Sequence, residues 1–497
     1  MLQDGRCLIK VYLPKDAGGH YVSLAVSRLS TLDAVKQQVL QKMAKLGPRP
    51  TDSDYVLQPG RAFQLCFYVD ESSTRICDIL PPREATLPVE LTLVCSCGHE
   101  ARLRVLGAER ANTTVFAWGD NEAGQLGVAG PGVVRDFVEV ESLKGIGCVA
   151  VSSGNYLSAV LSGDGKAQLW GKGAIGQLGG EEEFSQVPLP LVSLDKRISA
   201  IAFGSFHVLA AAEDGALYSW GNGEGGQLGH GARVVQQYGP WRVTGLQHEY
   251  VVGIACGNQH SLAVTAGGDL YSWGTNDAGQ LGHGHTEQVI HPCKVAALDK
   301  VRVDAVSAGF DHSTALSDGS ALSWGSNSLG QLGLNHTDDV SLPQRIDLPP
   351  GEVAVVVACG VNHTAIVTHS GRLYTMGRGG RGRLGYGGTD DVTVPTLADV
   401  KGHVVDVCAG NAFTAMLTQV DNHRPDSEPG EDGYATLAKR GGKNTTTQLM
   451  VCGKVAESST EELVPAPVHG PWGDNIVAMH AGLAHMLVVA ITNSPTS

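Results

Sequence analysis

Five histidines recur at one position of a repeated pattern: His207, His260, His312, His363 and His485. Each stands three residues after a glycine that closes an apolar run. Imidazoles at a shared position could ligate a metal or move protons. Two more copies of the pattern carry Leu157 and Phe413 there, so the position also accepts a buried hydrophobe. The expectation is a structural histidine, hydrogen-bonded within its own repeat. Cys95, Cys97 and His99 form C-S-C-G-H, but a structural zinc takes four ligands from paired clusters and no second cluster follows. Neither a metal nor a cofactor is expected. The chain also lacks a P-loop, a dinucleotide-binding glycine pattern, a nucleophile elbow and a kinase signature, so no catalytic residues are assigned. What remains is charge. Lys10, His20, Arg28, Lys36, Lys42 and Lys45 form a basic set suited to an acidic partner.

Composition narrows the setting for these residues. At 497 residues the chain can hold two domains. Its 65 glycines are roughly twice the usual share and follow no collagen period, which points to many tight turns in an all-β repeat. The net charge of −14 argues against general affinity for nucleic acid or an anionic membrane. Residues 1–50 depart from that balance with a net +5, leaving −19 for the rest. The start, MLQDGRCLIKVYLPKDAGG, has no apolar core of signal-peptide length, and no stretch approaches a membrane span, so no membrane insertion is expected. The 11 cysteines fit reduced thiols in a cytoplasmic protein better than a disulfide framework.

The histidines belong to a repeat of about fifty residues. One slot reads FAWGDNEAGQLG at Trp118, LWGKGAIGQLG at Trp170, YSWGNGEGGQLG at Trp220, YSWGTNDAGQLG at Trp273 and LSWGSNSLGQLG at Trp324. A weaker copy, YTMGRGGRGRLG, lies at Met376, and a degraded one, MVCGKVAESS, at Cys452. A second landmark is the glycine of G-x-x-H, at Gly154, Gly204, Gly257, Gly309, Gly360, Gly410 and Gly482. Between the two landmarks lie an apolar strand, a D-G or G-G turn and a second strand, which is a hairpin signal. Seven copies suit a propeller of four-stranded blades. Trp118 has no G-x-x-H element before it, and Gly482 has no Trp element after it. Each end supplies what the other lacks, so one blade is expected to draw on both ends of the repeat region. In the blade of Gly410 and Cys452, residues 420–447 form a polar excess that reads as a loop insertion.

These motifs resemble the regulator-of-chromosome-condensation repeat family, over more than three quarters of the chain. The resemblance implies a seven-bladed β-propeller used for protein contacts, over residues 111–492. It also brings in guanine-nucleotide exchange, the activity of the family's best-known member, which the fold alone does not transfer. Light-sensing relatives carry G-W-R-H-T repeats, and these are missing.

Residues 1–98 have no repeat. CLIKVYLP and YVSLAVS read as a hairpin, and STLDAVKQQVLQKMAKLG as a helix capped by Ser30 or Thr31 and stopped at Gly47. DYVLQ, AFQLCFYV and VELTLVCS read as further strands. This order is that of a small α+β ubiquitin-like (β-grasp) domain, and residues 99–110 are expected to be a linker. I-K-V-Y-L-P, the T-L-x-x-V helix start and D-Y-V-L resemble a Ras-association domain. In such domains the second strand pairs edge-on with a Ras-family small GTPase. The resemblance places Lys10 on the basic strand-one site, His20 and Arg28 beside strand two, and Lys36, Lys42 and Lys45 on or near the helix. YVSLAVS lacks the internal Arg or Lys of strong Ras binders, which implies modest affinity. The expected protein is a non-enzymatic scaffold: the N-terminal domain holds a GTPase and the propeller a second protein. The alternatives are an exchange factor for a small GTPase and a substrate-recruiting factor in ubiquitin signalling.

Overall fold

A computed structural model describes residues 113–231, 234–421, 445–456, 461–472 and 476–491, and the backbone of six strands before residue 113. The chain divides into two compact units.

The first unit contains β1 (Arg6–Tyr12), β2 (Tyr21–Ser27), β3 (Tyr55–Gln58), β4 (Gln64–Leu65), β5 (Val89–Cys95) and β6 (Glu100–Leu106). They form one sheet in the order β2-β1-β6-β5-β3, with the short β4 parallel to β5. The expected hairpin is present: β1 and β2 pair antiparallel from Arg6↔Ser27 to Tyr12↔Tyr21. The expected linker needs correction, because β6 falls inside residues 99–110 and pairs with both β1 and β5. Its sequence explains this. Ala101, Leu103 and Val105 alternate with Glu100, Arg102 and Arg104, the period-2 pattern of a strand. The helix expected over residues 30–47 lies outside the described residues.

The second unit is a seven-bladed propeller, each blade an antiparallel four-stranded sheet. Blades 1 to 6 are built in chain order from residues 148–190, 198–242, 251–294, 305–345, 354–397 and 403–468. Blade 7 closes the ring. Its inner strands Ile476–Ala481 and His485–Ile491 pair with β7 (Thr113–Asp120) and β8 (Val133–Glu139), in the order implied by the split motifs. Closure leaves no blade with an unfilled inner edge.

The repeat residues form the interior. Trp170, Trp220, Trp273 and Trp324 are fully buried. At about 25 cal/mol per Å2, removing an indole of roughly 200 Å2 from water contributes on the order of 5 kcal/mol each. The glycine after each tryptophan is required by close approach: a Cβ on Gly171, where φ is +102°, would lie 2.1 Å from the Tyr156 carbonyl oxygen. Blade 6 lacks the G-Q-L-G turn, and aromatic rings fill the resulting space at its junction with blade 7. Trp472 meets Phe116 at 5.3 Å and Phe137 at 4.6 Å, and Phe137 meets Trp118 at 5.1 Å.

The expected loop over residues 420–447 is shorter than that. Phe413–Asp421 and Thr445–Gly453 are nine-residue strands whose ladder continues to Val420↔Thr446 and Asp421↔Thr445. The β-branched run Thr445, Thr446 and Thr447 favours extension of the hairpin.

Candidate protein-interaction site

The histidine slot is settled by geometry. His207, His260, His312, His363 and His485 are all fully buried. Each Nε2 lies 2.9–3.0 Å from a hydroxyl of the next blade: Ser261, Ser313, Thr364, Thr414 and Ser158 respectively. The bonding therefore runs between blades, which corrects the expectation of a bond within each repeat. Each hydroxyl donates its single proton to a main-chain carbonyl of the histidine's own blade. Ser158 donates to Gln125, Ser261 to Gln227, Ser313 to Gln280, Thr364 to Gln331 and Thr414 to Arg383, at 2.7–2.8 Å. Having spent that proton, the hydroxyl accepts from the imidazole, so Nε2 carries hydrogen. Trp170, Trp273 and Trp324 donate to the same carbonyls of Gln125, Gln227 and Gln280 at 2.8–2.9 Å.

Nδ1 of all five rings has no hydrogen-bond partner and sits against the repeat glycine. On Gly257 a Cβ would lie 2.1 Å from the His260 ring and 2.7 Å from the Gly309 carbonyl oxygen. Burial pushes the imidazoles down, to about 3 for His207, His260, His363 and His485 and about 4 for His312. They are neutral structural staples. The two apolar slots obey the same rule: Leu157 is followed in the next blade by Val208, and Phe413 by Met486, where the other junctions place Ser or Thr. An apolar slot thus meets an apolar partner at the next blade.

With the staples consumed, the exposed loop positions remain. In an up-and-down blade, the loop after the first strand and the loop after the third emerge on one face. Seven hydrogen bonds fix them side by side, from Asp120, Lys172, Asn222, Thr275, Ser326, Arg378 and Lys454 amides to the carbonyls of Ala484, Tyr156, Phe206, Gln259, Asp311, Asn362 and Ala412. The first loops also join blade to blade around a central depression, through Ser205 to Asn258, Asn258 to Phe310, Phe310 to Val361, Val361 to Gly410, Asn411 to Leu483 and Leu483 to Gly154. On this face Tyr156, Phe206 and Phe310 are 45%, 43% and 37% exposed. Large aromatics at variable loop positions that the fold does not bury are the usual anchors of protein contacts. They fill the x positions of G-x-x-H, where only their residue type signals them.

Among the expected binding residues, Lys10 falls on β1, with its Cα opposite Ser23 of β2 and Arg104 of β6. His20, Arg28, Lys36, Lys42 and Lys45 lie outside the described residues. Cys95 ends β5, while Cys97 and His99 lie outside them too. Among the described residues no group of three or more His, Cys, Asp or Glu side chains is placed to hold a metal ion. Cys256, Cys359 and Cys408 are free, and burial pushes their thiols up, Cys359 to about 11. Like the histidines, they pack. No helix among the described residues is long and apolar enough to cross a membrane.

A fold of seven such blades, stapled by His–Ser/Thr–Gln–Trp contacts, defines the propeller class to which the sequence comparisons assign the chain. The family described as RCC1-like domain matches residues 60–416, and the chain belongs to that family. It is similar to the ultraviolet-B receptor UVR8 of Arabidopsis thaliana, 34% identical over 312 residues, which are 62% of this chain and 70% of the receptor. It is also similar to the human E3 ubiquitin-protein ligase HERC2, 36% identical over 316 residues, but the match spans only 6% of that ligase. Among solved structures, human WBSCR16 superposes with a TM-score of 0.64 at 22% identity, over 77% of this chain and all of that one. Prp20p of Saccharomyces cerevisiae gives 0.63 at 19%, over 78% of this chain and 93% of its own. At these identities the two structures speak for the fold alone.

Proposed function

We propose that the chain is a non-enzymatic, cytoplasmic interaction scaffold, with the loop face of the propeller holding a partner protein and the N-terminal unit holding a Ras-family small GTPase. The exposed arc of Tyr156, Phe206 and Phe310 carries the first half of this reading. An arc of rings left open to water, in a fold that buries the repeat tryptophans Trp170, Trp220, Trp273 and Trp324 completely, supports docking over catalysis. For the second half, β2 ends the path of its sheet, and an edge strand offers its amides and carbonyls to a partner strand. The net +5 of residues 1–50 complements an acidic GTPase surface and raises the association rate. Both ideas are tested by capture with the full chain and with Tyr156→Ser/Phe206→Ser and Lys10→Glu/Lys36→Glu variants. The GTPase arm uses a panel of GTP- and GDP-loaded Ras-family proteins. The reading predicts micromolar, salt-sensitive and GTP-dependent binding that Lys10→Glu/Lys36→Glu removes. Binding to no member of the panel sinks the GTPase assignment. Accelerated nucleotide release instead of simple binding would favour the exchange-factor reading.

A further inference from the structure

The two faces of the propeller treat their charges differently. Nine ion pairs lie on the face opposite the aromatic arc, at the turn after the second strand or the connection to the next blade. Lys144 meets Glu139 and Glu141, Lys196 meets Asp214, Arg197 meets Glu213, and Lys294 meets Asp269 and Asp299. Lys166–Asp164, Arg302–Asp304 and Arg372–Glu352 complete the set. That face satisfies itself.

The aromatic face does not. From blade 7 round to blade 4 its loops carry Glu122, Glu224, Asp277, Asp311 and Asp339, and none of these has an ion-pair partner among the described residues. Among the described residues Lys172 is the lysine or arginine of the third-strand loops in that sector, and Arg233 of the blade 2 loop lies outside them. Arg378, Arg381 and Lys454 fall in blades 5 and 6, so the acidic sector has an end. Asp311 is half-buried, and burial, then the charges of Asp277 and Asp339, push its carboxyl up from the usual range. A cation brought to this sector would relieve a repulsion that the fold leaves standing. The rings of Tyr156, Phe206 and Phe310 occupy the same sector, in blades 1, 2 and 4.

We infer that this sector takes a basic segment of a partner protein in which Lys or Arg alternates with apolar side chains. The apolar groups seat on the three rings and the cations face the unpaired carboxylates. This deepens the scaffold reading and rests on it. The acidity of the sector argues against nucleic acid as the occupant, since phosphates would be repelled. Cation–π contact with the rings adds to the charge term, and salt screens the latter within about 10 Å at 0.1 M.

The test uses the full chain and fluorescence anisotropy with three labelled peptides: alternating Lys and Leu, alternating Glu and Leu, and alternating Lys and Ser. The Lys–Leu peptide is expected to bind saturably, and the other two at least about tenfold more weakly. Asp277→Asn/Asp311→Asn and Tyr156→Ser/Phe206→Ser should each lower its affinity about tenfold. Asp214→Asn/Asp304→Asn, on the opposite face, should not. Removing the carboxylate repulsion should also leave the thermal midpoint of Asp277→Asn/Asp311→Asn unchanged or raised. No saturable binding of the Lys–Leu peptide overturns the inference, as does equal binding to Asp277→Asn/Asp311→Asn or equal binding of the Glu–Leu peptide. Should the propeller capture a partner protein regardless of the Asp277→Asn/Asp311→Asn change, the scaffold reading stands and this inference alone falls.

Discussion

Replacing Ser261 with Val should damage the propeller, and a second substitution should repair it. Ser261 is fully buried, donates to the Gln227 carbonyl at 2.8 Å and accepts from His207 Nε2 at 2.9 Å. Valine nearly matches the volume but offers no oxygen. The Gln227 carbonyl keeps the Trp273 indole at 2.8 Å, so the stranded group is the His207 N–H. Leaving a buried donor unsatisfied costs about 1–3 kcal/mol, and the lost hydrogen bond is part of that figure. Adding His207→Leu removes the stranded donor and recreates the Leu157–Val208 pairing of the neighbouring junction. The double variant should therefore be more stable than Ser261→Val alone by about 1–2 kcal/mol, a coupling within the range for residues in contact. Urea midpoints at unchanged m-value read this directly, with tryptophan fluorescence and far-UV dichroism as separate probes. Should the double variant lose the sum of its two singles, the junctions are independent and the pairing rule is wrong.

Three more outcomes follow from the same contacts. The five imidazoles stay neutral in the folded chain down to about pH 3–4, whereas unfolded histidine takes up a proton below about 6.5. The unfolded chain thus binds more protons below pH 6.5 and stability falls with pH, by about 2 kcal/mol per histidine at pH 5. The urea midpoint should drop steeply between pH 6.5 and 5, and His207→Leu/Ser261→Val should show a slope shallower by about one proton; a flat profile contradicts the staple. Trp472→Ala empties the aromatic filling between blades 6 and 7 and should cost about 3–5 kcal/mol, read as a fall in thermal midpoint. Deleting residues 485–497 removes the strand that joins Ile476–Ala481 to β7 and should yield aggregates in size-exclusion chromatography, whereas a monomer of unchanged thermal midpoint would refute closure by blade 7.

The parts of this fold that read directly from sequence are those that recur because packing is the same at every junction. Trp170, Trp220, Trp273 and Trp324 meet equivalent surroundings, and the glycine after each meets the corresponding carbonyl, so their spacing alone gives the repeat length. The partner of each histidine was not legible that way. Ser313 lies 53 residues from His260, and a repeat alignment cannot say whether a side chain turns to its own blade or the next. The covariation was nevertheless present in the chain: Leu157 with Val208, Phe413 with Met486, and every histidine with a hydroxyl one repeat on. β6 is hard to read from sequence for a different reason. A single seven-residue alternation between Gly98 and Gly107 resembles a connector until its two neighbours are in place.

The same reasoning says where function can reside in such a repeat. Residues whose type is dictated at every junction are committed to holding the ring, so a substitution there is felt as stability. The two x positions of G-x-x-H and the residue after each W-G are held in place by their main chains, since the seven amide-to-carbonyl bonds across that face use no side-chain atom. After W-G the side chains of Asp120, Asn222 and Ser326 also accept from Gln125, Gln227 and Gln331, whereas those at the x positions are free to differ from blade to blade without cost to the ring. Tyr156, Phe206 and Asp311 stand at such positions in three different blades. A surface assembled this way acquires specificity one blade at a time, on a scaffold whose stapling contacts never need to change.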